Sequence, residues 1–411
     1  MAAFQWTPSP TLPNARTSFA GVSYDEMVER ARSLVPALRE RAAETETLRR
    51  MPDATERDLH RLGLFRVVQP ARVGGAELPP HILVDICAVT AAACPSTAWN
   101  IGNLGSHHWM LGYFPPQAQE ELWSVSTDVL IATSLAFAQG RARKVDGGYV
   151  VNGRWPLSSG VDNSDWNMLG AILRDKEDGP PVDHRFMLVH KSEYQVIDTW
   201  HAMGLCGTGS KDVAVKELFV PEHRSLSAWR LDGKPHPGSA ANPGPLFRQP
   251  LLALGAFVLT GMLLGCARGA YELTVGAARK RNATNTGIAM NSFQAVQIKV
   301  AEAGAMIDTA AMIMRETCRE AWAVAEAERE HSLDDKIRYR RDGAFAAQMC
   351  IQAVDILMNI AGSSGIYQTS EMQRLFRDTH AAAAHVMFSF DLQGTMFGQR
   401  ALGFNAPPPM L

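Results

Sequence analysis

The stretch Arg377–Asp391, RDTHAAAAHVMFSFD, gathers groups able to move protons: an Arg-Asp pair, His380, His385 and Asp391. Imidazole titrates near neutral pH and suits general acid or base work. A spacing of five advances a continuous helix by about 500°, roughly 140° past one full turn. His380 and His385 are therefore expected on different faces of one helix. The four alanines between them keep the wall thin enough for something bulky to lie against it. Incidental packing histidines are the alternative. A second pair, His107-His108, sits late in the run AWNIGNLGSHHWMLGYF. Adjacent helical positions differ by about 100°, so only one of these two can face a given site. Hydroxyls occur at Ser134 in ATSLA, at Ser158 and Ser159 in WPLSSG beside Trp155, and at Thr208 and Ser210 in GTGSK. Arg281 ends a basic cluster with Arg279 and Lys280.

The elements that must hold these groups fall into three parts. Residues 1–127 read as a helical domain behind a loose, proline-rich N-terminal arm. Helices are expected over 23–50, from an Asp53 cap to Gly63, over 81–94, from Pro95 to Pro115-Pro116, and over 117–125. Residues 128–229 carry short runs rich in β-branched and aromatic residues. Asp146-Gly147-Gly148, Asn152-Gly153 and Asp178-Gly179-Pro180 punctuate them, the pattern of antiparallel strands joined by turns. A Pro/Gly linker spans 230–246. Residues 247–411 hold four long alanine-rich segments, 248–281, 291–330, 334–361 and 369–400, as a helical bundle requires. The fold class is α+β.

A net charge of −2 over 411 residues carries no basic excess and argues against a nucleic-acid partner. The six cysteines are scattered without a C-x-x-C pair, so neither a metal site nor a disulfide framework is expected, and a reducing cytoplasm is. The uncharged stretch from Pro250 to Arg268 is short for a membrane span and reads as a core helix of the bundle. The N-terminus lacks the apolar region of a signal peptide.

Helical domain, small β domain and long four-helix bundle is the layout of the acyl-CoA dehydrogenase fold, and ordered motifs resemble that family over nearly the whole chain. They are Gly63-Leu64-Phe65 through Pro70 with Val73-Gly74-Gly75, Asn152-Gly153-Arg154-Trp155-Pro156-Leu157-Ser158-Ser159-Gly160, Phe293-Gln294-Ala295-Val296-Gln297 with Lys299, and Gly362-Ser363-Ser364-Gly365 followed by Arg377-Asp378. Within the fold the chain resembles the oxygenase components of two-component flavin-dependent monooxygenases, such as p-hydroxyphenylacetate and secosteroid phenol hydroxylases. That likeness rests on Cys94-Pro95-Ser96-Thr97-Ala98-Trp99, His107–Trp109, Asp198-Thr199-Trp200, Gly207–Lys211 and the C-terminal Arg-Asp with His385 and Asp391. In most dehydrogenases of this fold the base Glu lies nine residues after the Arg of Arg-Asp, where this chain has Val386. Others place it on the first bundle helix, yet residues 247–271 contain no Asp or Glu. An apolar side chain cannot take a proton, so an acyl-CoA dehydrogenase is disfavoured. A flavin-dependent N-oxygenase of an amine or amino sugar is the other alternative.

The resemblance implies reduced flavin (FADH2 or FMNH2) and O2, a C4a-hydroperoxyflavin, and hydroxylation of a small aromatic, usually phenolic, substrate. It implies a separate NAD(P)H-dependent flavin reductase and a homotetramer. His385 would serve the flavin peroxide, with Asp391 as its orienting partner. Ser158 would touch flavin N5, with Ser159 its open alternative. Trp155 would wall the ring, and Thr208 and Ser210 would flank it. Arg281 would hold the pyrophosphate, although the Phe-Gly that follows it in relatives is Asn282-Ala283 here, which keeps FAD and FMN both open. His107, favoured by its His-x-Trp pattern, or His108 would deprotonate or bind the phenol, and Ser134 would bind substrate.

Overall fold

A computed structural model describes residues 18–176 and 179–404. Most of the expected N-terminal arm, the C-terminal PPPML and Asp178 of one expected turn lie outside the described residues. The arm's last residue, Phe19, is buried, with the Arg66 guanidinium 5.2 Å from its ring.

The chain opens with helices α1 (Tyr24–Leu48), α2 (Asp53–Leu62), α3 (His81–Ala91), α4 (Pro95–Leu111) and α5 (Pro116–Trp123). Pro95 takes the first turn of α4, where its missing N–H leaves nothing unsatisfied. Gly63 ends α2 at a φ of 75°, a left-handed conformation suited to glycine. Asp53 is not the cap expected of it. It is the first residue of α2, behind Pro52, and its carboxylate lies 2.7 Å from Arg50.

Eight strands follow: β1 (Ile131–Ser134), β2 (Gly140–Val145), β3 (Gly148–Ser158), β4 (Trp166–Leu173), β5 (Asp183–His190), β6 (Gln195–Ile197), β7 (Lys211–Pro221) and β8 (Ser225–Ser227). They form one sheet in the order β6-β7-β3-β2-β4-β5-β8, with β1 also paired to β4. The sheet is mainly antiparallel, but β1 and β2 both run parallel to β4. They share one of its edges, β1 pairing from Trp166 and β2 from Ile172. The chain leaves the sheet between them, and that places Ser134 where a cavity can reach it.

The expected 230–246 linker is packed rather than loose. Asn242 donates to Gly112 O at 2.8 Å, and Trp109 Nε1 to Leu246 O at 2.9 Å. The bundle comprises α6 (Leu251–Ala278), α7 (Gln294–Glu326), α8 (Leu333–Ala361), α9 (Glu371–Ala383) and α10 (Phe390–Ala401). The most apolar 18-residue window of α6 is 83% buried, as a bundle's central helix requires.

The segment expected as one helix over 369–400 is two helices joined by a 3₁₀ turn, Val386–Phe388. Helix α9 stops at Ala383, and His385 caps the turn, its Nδ1 accepting from Met387 N at 3.3 Å. His380 and His385 therefore belong to different elements, and the helical-face spacing expected of them does not apply.

Candidate active site

A cavity of about 560 Å³ opens where α4, the end of β1, the end of β3, the 200–210 loop, the start of α6 and the α9–α10 turn converge. Helix α4 presents Trp99, Asn103, Ser106, His107 and Met110 to it, residues spaced on one helical face. Ser134 and Thr133 come from β1, Ser159 and Ser210 from the loops beside β3 and β7, and His385 from the turn.

Of the histidine pair, His107 faces the cavity. Its Nδ1 is bonded to the carbonyl of Ile131. A carbonyl only accepts, so Nδ1 carries the proton and the lone pair lies on Nε2. His108 does not reach the cavity, contrary to its expected part in substrate binding. It is stacked on Trp123, and its Nδ1 accepts from Gln69 Nε2 at 3.1 Å and Trp123 Nε1 at 3.3 Å. Gln69 also accepts from the buried Arg66 at 2.5 Å, so a polar cluster beneath α4 draws His108 away.

Burial pushes His107 down to about 4 and His108 to about 3, the latter also under Arg66. As pH falls from about 6.5 the unfolded chain takes these protons before the folded chain does. Stability is therefore expected to drop through the window from 6.5 towards 4. Each histidine accounts for roughly 1–2 kcal/mol between pH 7 and 5. A urea midpoint that does not move across that range would contradict this.

At the end of β3 the strand alternation breaks. The register shifts between Trp155 and Ser158, and Leu157 adopts a φ of 62°. Ser158, expected at the flavin, is turned inward, its Oγ accepting from Asn167 Nδ2 at 2.8 Å. Ser159 faces the cavity instead. It accepts from Trp99 Nε1 at 3.2 Å and shares a hydrogen bond with Ser210 Oγ at 2.7 Å. Thr208 stands behind, bonded to Ser210 at 2.7 Å and donating to Leu205 O at 2.8 Å. Trp155 is not a cavity wall. Its indole fills the space left by Gly140 and Gly153, and Nε1 donates to Gly170 O at 2.6 Å in the sheet core. The walls are Trp99 and Trp200. Neither was given a role from sequence, although Trp99 and Asn103 stand eight and four residues before His107 on the same helical face.

The loop bearing Trp200 is clasped from both sides. Arg49 holds Asp198 at 2.6 Å, Arg377 donates to Met203 O at 2.5 Å, and Asp378 accepts from Leu205 N at 2.6 Å. Burial raises Asp378 to about 7.

His385 is half-buried, with the Trp99 ring edge-on at 5.6 Å, and burial lowers it to about 4. Because Nδ1 accepts from Met387, the neutral ring carries its proton on Nε2. Asp391 is no orienting partner. It is an exposed residue in the first turn of α10. His380 pairs with Asp355 at 2.9 Å, outside the cavity. Arg281 lines a separate cleft of about 270 Å³ at the bundle end, bonded to Ser364 Oγ. Among the described residues no Asp, Glu, Lys or Arg lines the main cavity, and Val386 lies on its wall. Indole walls, the Ser159–Ser210 hydroxyls and an uncharged interior fit a flavin ring.

Comparison with known proteins identifies the family. Residues 257–390 match the family model described as acyl-CoA dehydrogenase, C-terminal domain. The flavin-dependent monooxygenase oxygenase subunit HsaA of Rhodococcus jostii is 35% identical over 385 residues, 93% of this chain and 100% of that one. An FADH(2)-dependent resorcinol hydroxylase oxygenase component from a Rhizobium strain is 34% identical over 408 residues, covering 97% of both. The crystal structure of 3-HSA hydroxylase from Rhodococcus sp. RHA1 superposes with a TM-score of 0.89 at 34% identity, over 95% of this chain and 100% of that one. The extent of these likenesses leads to one conclusion: this chain belongs to the flavin-dependent monooxygenases, as an oxygenase component built on the acyl-CoA dehydrogenase fold.

Proposed function

We propose that this chain hydroxylates a phenol, using FADH2 delivered by a separate NAD(P)H-dependent reductase. When bound, reduced flavin activates O2 and supplies the electrophilic oxygen. The observation that carries the reading is the opposed hydrogen-bonding sense of two neutral histidines on one cavity. His107 offers a lone pair at Nε2 that can take the phenol proton and raise electron density on the ring. His385 offers a proton at Nε2 to the oxygen-bearing side. Ser134 donates its own proton to Pro156 O at 2.7 Å, so its lone pairs are open to a second donor group on the substrate, the phenol proton itself going to His107. Apolar walls keep water away from both events.

FAD is favoured over FMN by the resorcinol hydroxylase relative and by the guanidinium of Arg281, whose planar fork suits a pyrophosphate. Exposed Ile298 and Met312 on α7 support a homotetramer built on the bundle, which sedimentation can count. Six free thiols suit a cytoplasmic setting. An amine N-oxygenase shares the fold, but an ammonium would meet no carboxylate on this wall. The central test is stopped-flow mixing of anaerobically reduced FAD and protein with oxygenated buffer. A long-lived absorbance unlike either oxidised or reduced flavin is expected. Reoxidation at the rate of free flavin would sink the reading.

A further inference from the structure

We infer that Asp378 is a positioning residue for the reaction: by holding Leu205 it fixes Trp200 and the Ser210–Ser159 hydroxyls on the cavity wall. The inference rests on the reading of that wall as the place of the flavin ring. Arg377-Asp378 is the part of the C-terminal stretch that the proposed chemistry leaves unused, and neither side chain lines the cavity. The pair meets three successive residues of the 200–210 loop instead. Arg377 Nη1 donates to Met203 O at 2.5 Å, and Asp378 Oδ1 accepts from Leu205 N at 2.6 Å. Between these two bonds Gly204 lies against the backbone of α9, where a Cβ would stand 2.3 Å from Arg377 O and 3.0 Å from Asp378 N. Only glycine allows so close a seat.

Leu205 needs this hold. Its φ is 52°, in the left-handed region that an L side chain seldom adopts. Its amide is the anchored group, and its carbonyl gathers the wall. Leu205 O accepts from Trp200 Nε1 at 3.0 Å, from Thr208 N at 3.0 Å and from Thr208 Oγ1 at 2.8 Å. Each hydroxyl beyond has one proton to give, so the direction of the chain is set. Thr208 gives its proton to Leu205 O and must accept from Ser210 at 2.7 Å. Ser210 must then accept from Ser159 at 2.7 Å, and Ser159 accepts in turn from Trp99 Nε1 at 3.2 Å. Ser159 and Ser210 thus turn lone pairs, not protons, to the cavity they line. One buried carboxyl, 4% exposed, acts through a single leucine on an indole wall and on the sense of that wall's hydrogen bonds.

The test makes two measurements on the full chain. Without flavin, hydrogen exchange followed by mass spectrometry reads the amides of residues 198–210. With reduced FAD alone as the probe, stopped-flow mixing with oxygenated buffer reads the lifetime of the long-lived absorbance. In Asp378→Ala the loop is expected to exchange about tenfold faster, as loss of one buried hydrogen bond allows, with β4 and β5 unchanged. The lifetime is expected to shorten by about tenfold or more, since a wall that moves admits water and misplaces its groups. Asp378→Asn keeps an acceptor for Leu205 N and is expected to stay within about threefold of wild type in both measurements. Gly204→Ala forces the loop away from α9 with Asp378 intact. It is expected to behave as D378A does, and it carries the test if D378A does not fold. His380→Ala, which breaks the 2.9 Å pair of α9 with Asp355, is expected to leave the lifetime unchanged. Unchanged exchange in D378A and G204A would overturn the proposal whatever the flavin result. So would faster exchange with an unchanged lifetime, or a lifetime shortened as much by H380A. Wild-type protein that reoxidises reduced FAD at the free-flavin rate would remove the hydroxylase reading and with it the role in the reaction, while loop exchange would still decide whether Asp378 anchors the wall.

Discussion

Replacing His107 with glutamine is expected to lower kcat/KM for phenol hydroxylation by about 10²- to 10⁴-fold, the usual contribution of a positioned base. Glutamine can still donate to the Ile131 carbonyl that holds the imidazole, and it can accept a hydrogen bond from the phenol. It cannot take the proton. Oxygen consumption by reduced flavin should therefore continue and end as hydrogen peroxide, with little hydroxylated product. The loss should shrink as pH approaches about 10, where a phenol ionises unaided. His108→Asn is the contrast. An asparagine oxygen can replace Nδ1 as acceptor for Gln69 and Trp123, and that side chain does not line the cavity. Its effect should fall on stability rather than on kcat/KM. Near wild-type hydroxylation by H107Q would remove His107 as the base.

The contrast between these neighbours also marks how far the sequence could be read. Their helical spacing required that only one face the site, and a local pattern favoured His107. What takes His108 away is a set of partners from sequence positions 66, 69 and 123, which no linear spacing reveals. Element types and order were legible because glycine, proline and β-branched runs change abruptly along the chain. The break after Ala383 was not, since Ala-Ala-Ala-Ala contains the best helix former and no breaker. It is made by a side chain, His385, bonding its own turn, and by Phe388 burying beyond it. The choice between Ser158 and Ser159 stayed open in the sequence for a similar reason. Alternation along β3 holds up to Trp155, and a single left-handed residue, Leu157, then shifts which serine faces the cavity. Leucine carries no sequence signal for that conformation. The argument from the absent carboxylate joined the base positions implied by the resemblance to the plain fact that an apolar side chain cannot take a proton, and Val386 does lie on the cavity wall.

Asp128→Ala is expected to cost about 3–5 kcal/mol of stability, the usual consequence of removing one partner from a buried ion pair. Arg66 is 1% exposed and Asp128 is 5% exposed, with 3.3 Å between Nη1 and Oδ1. Burial alone would raise the Asp128 carboxyl, yet His60 and Arg66 outweigh it and hold the group below its usual range. The pair is thus charged in the interior, and truncation takes the carboxylate from a guanidinium that stays buried. Arg66 also fixes Gln69 and the carbonyl of Val73, so the disturbance spreads through the first loop. It also reaches the site: Asp128 leads directly into β1, whose Ile131 carbonyl orients His107. A fall in the urea midpoint is therefore expected together with a smaller loss of hydroxylation yield. Asp128→Asn, which keeps an acceptor but not the charge, should lie between wild type and alanine. A cost below about 1 kcal/mol for D128A would mean that the pair contributes no more than a surface ion pair, and an unchanged hydroxylation yield would mean that the buried cluster under α4 does not orient His107.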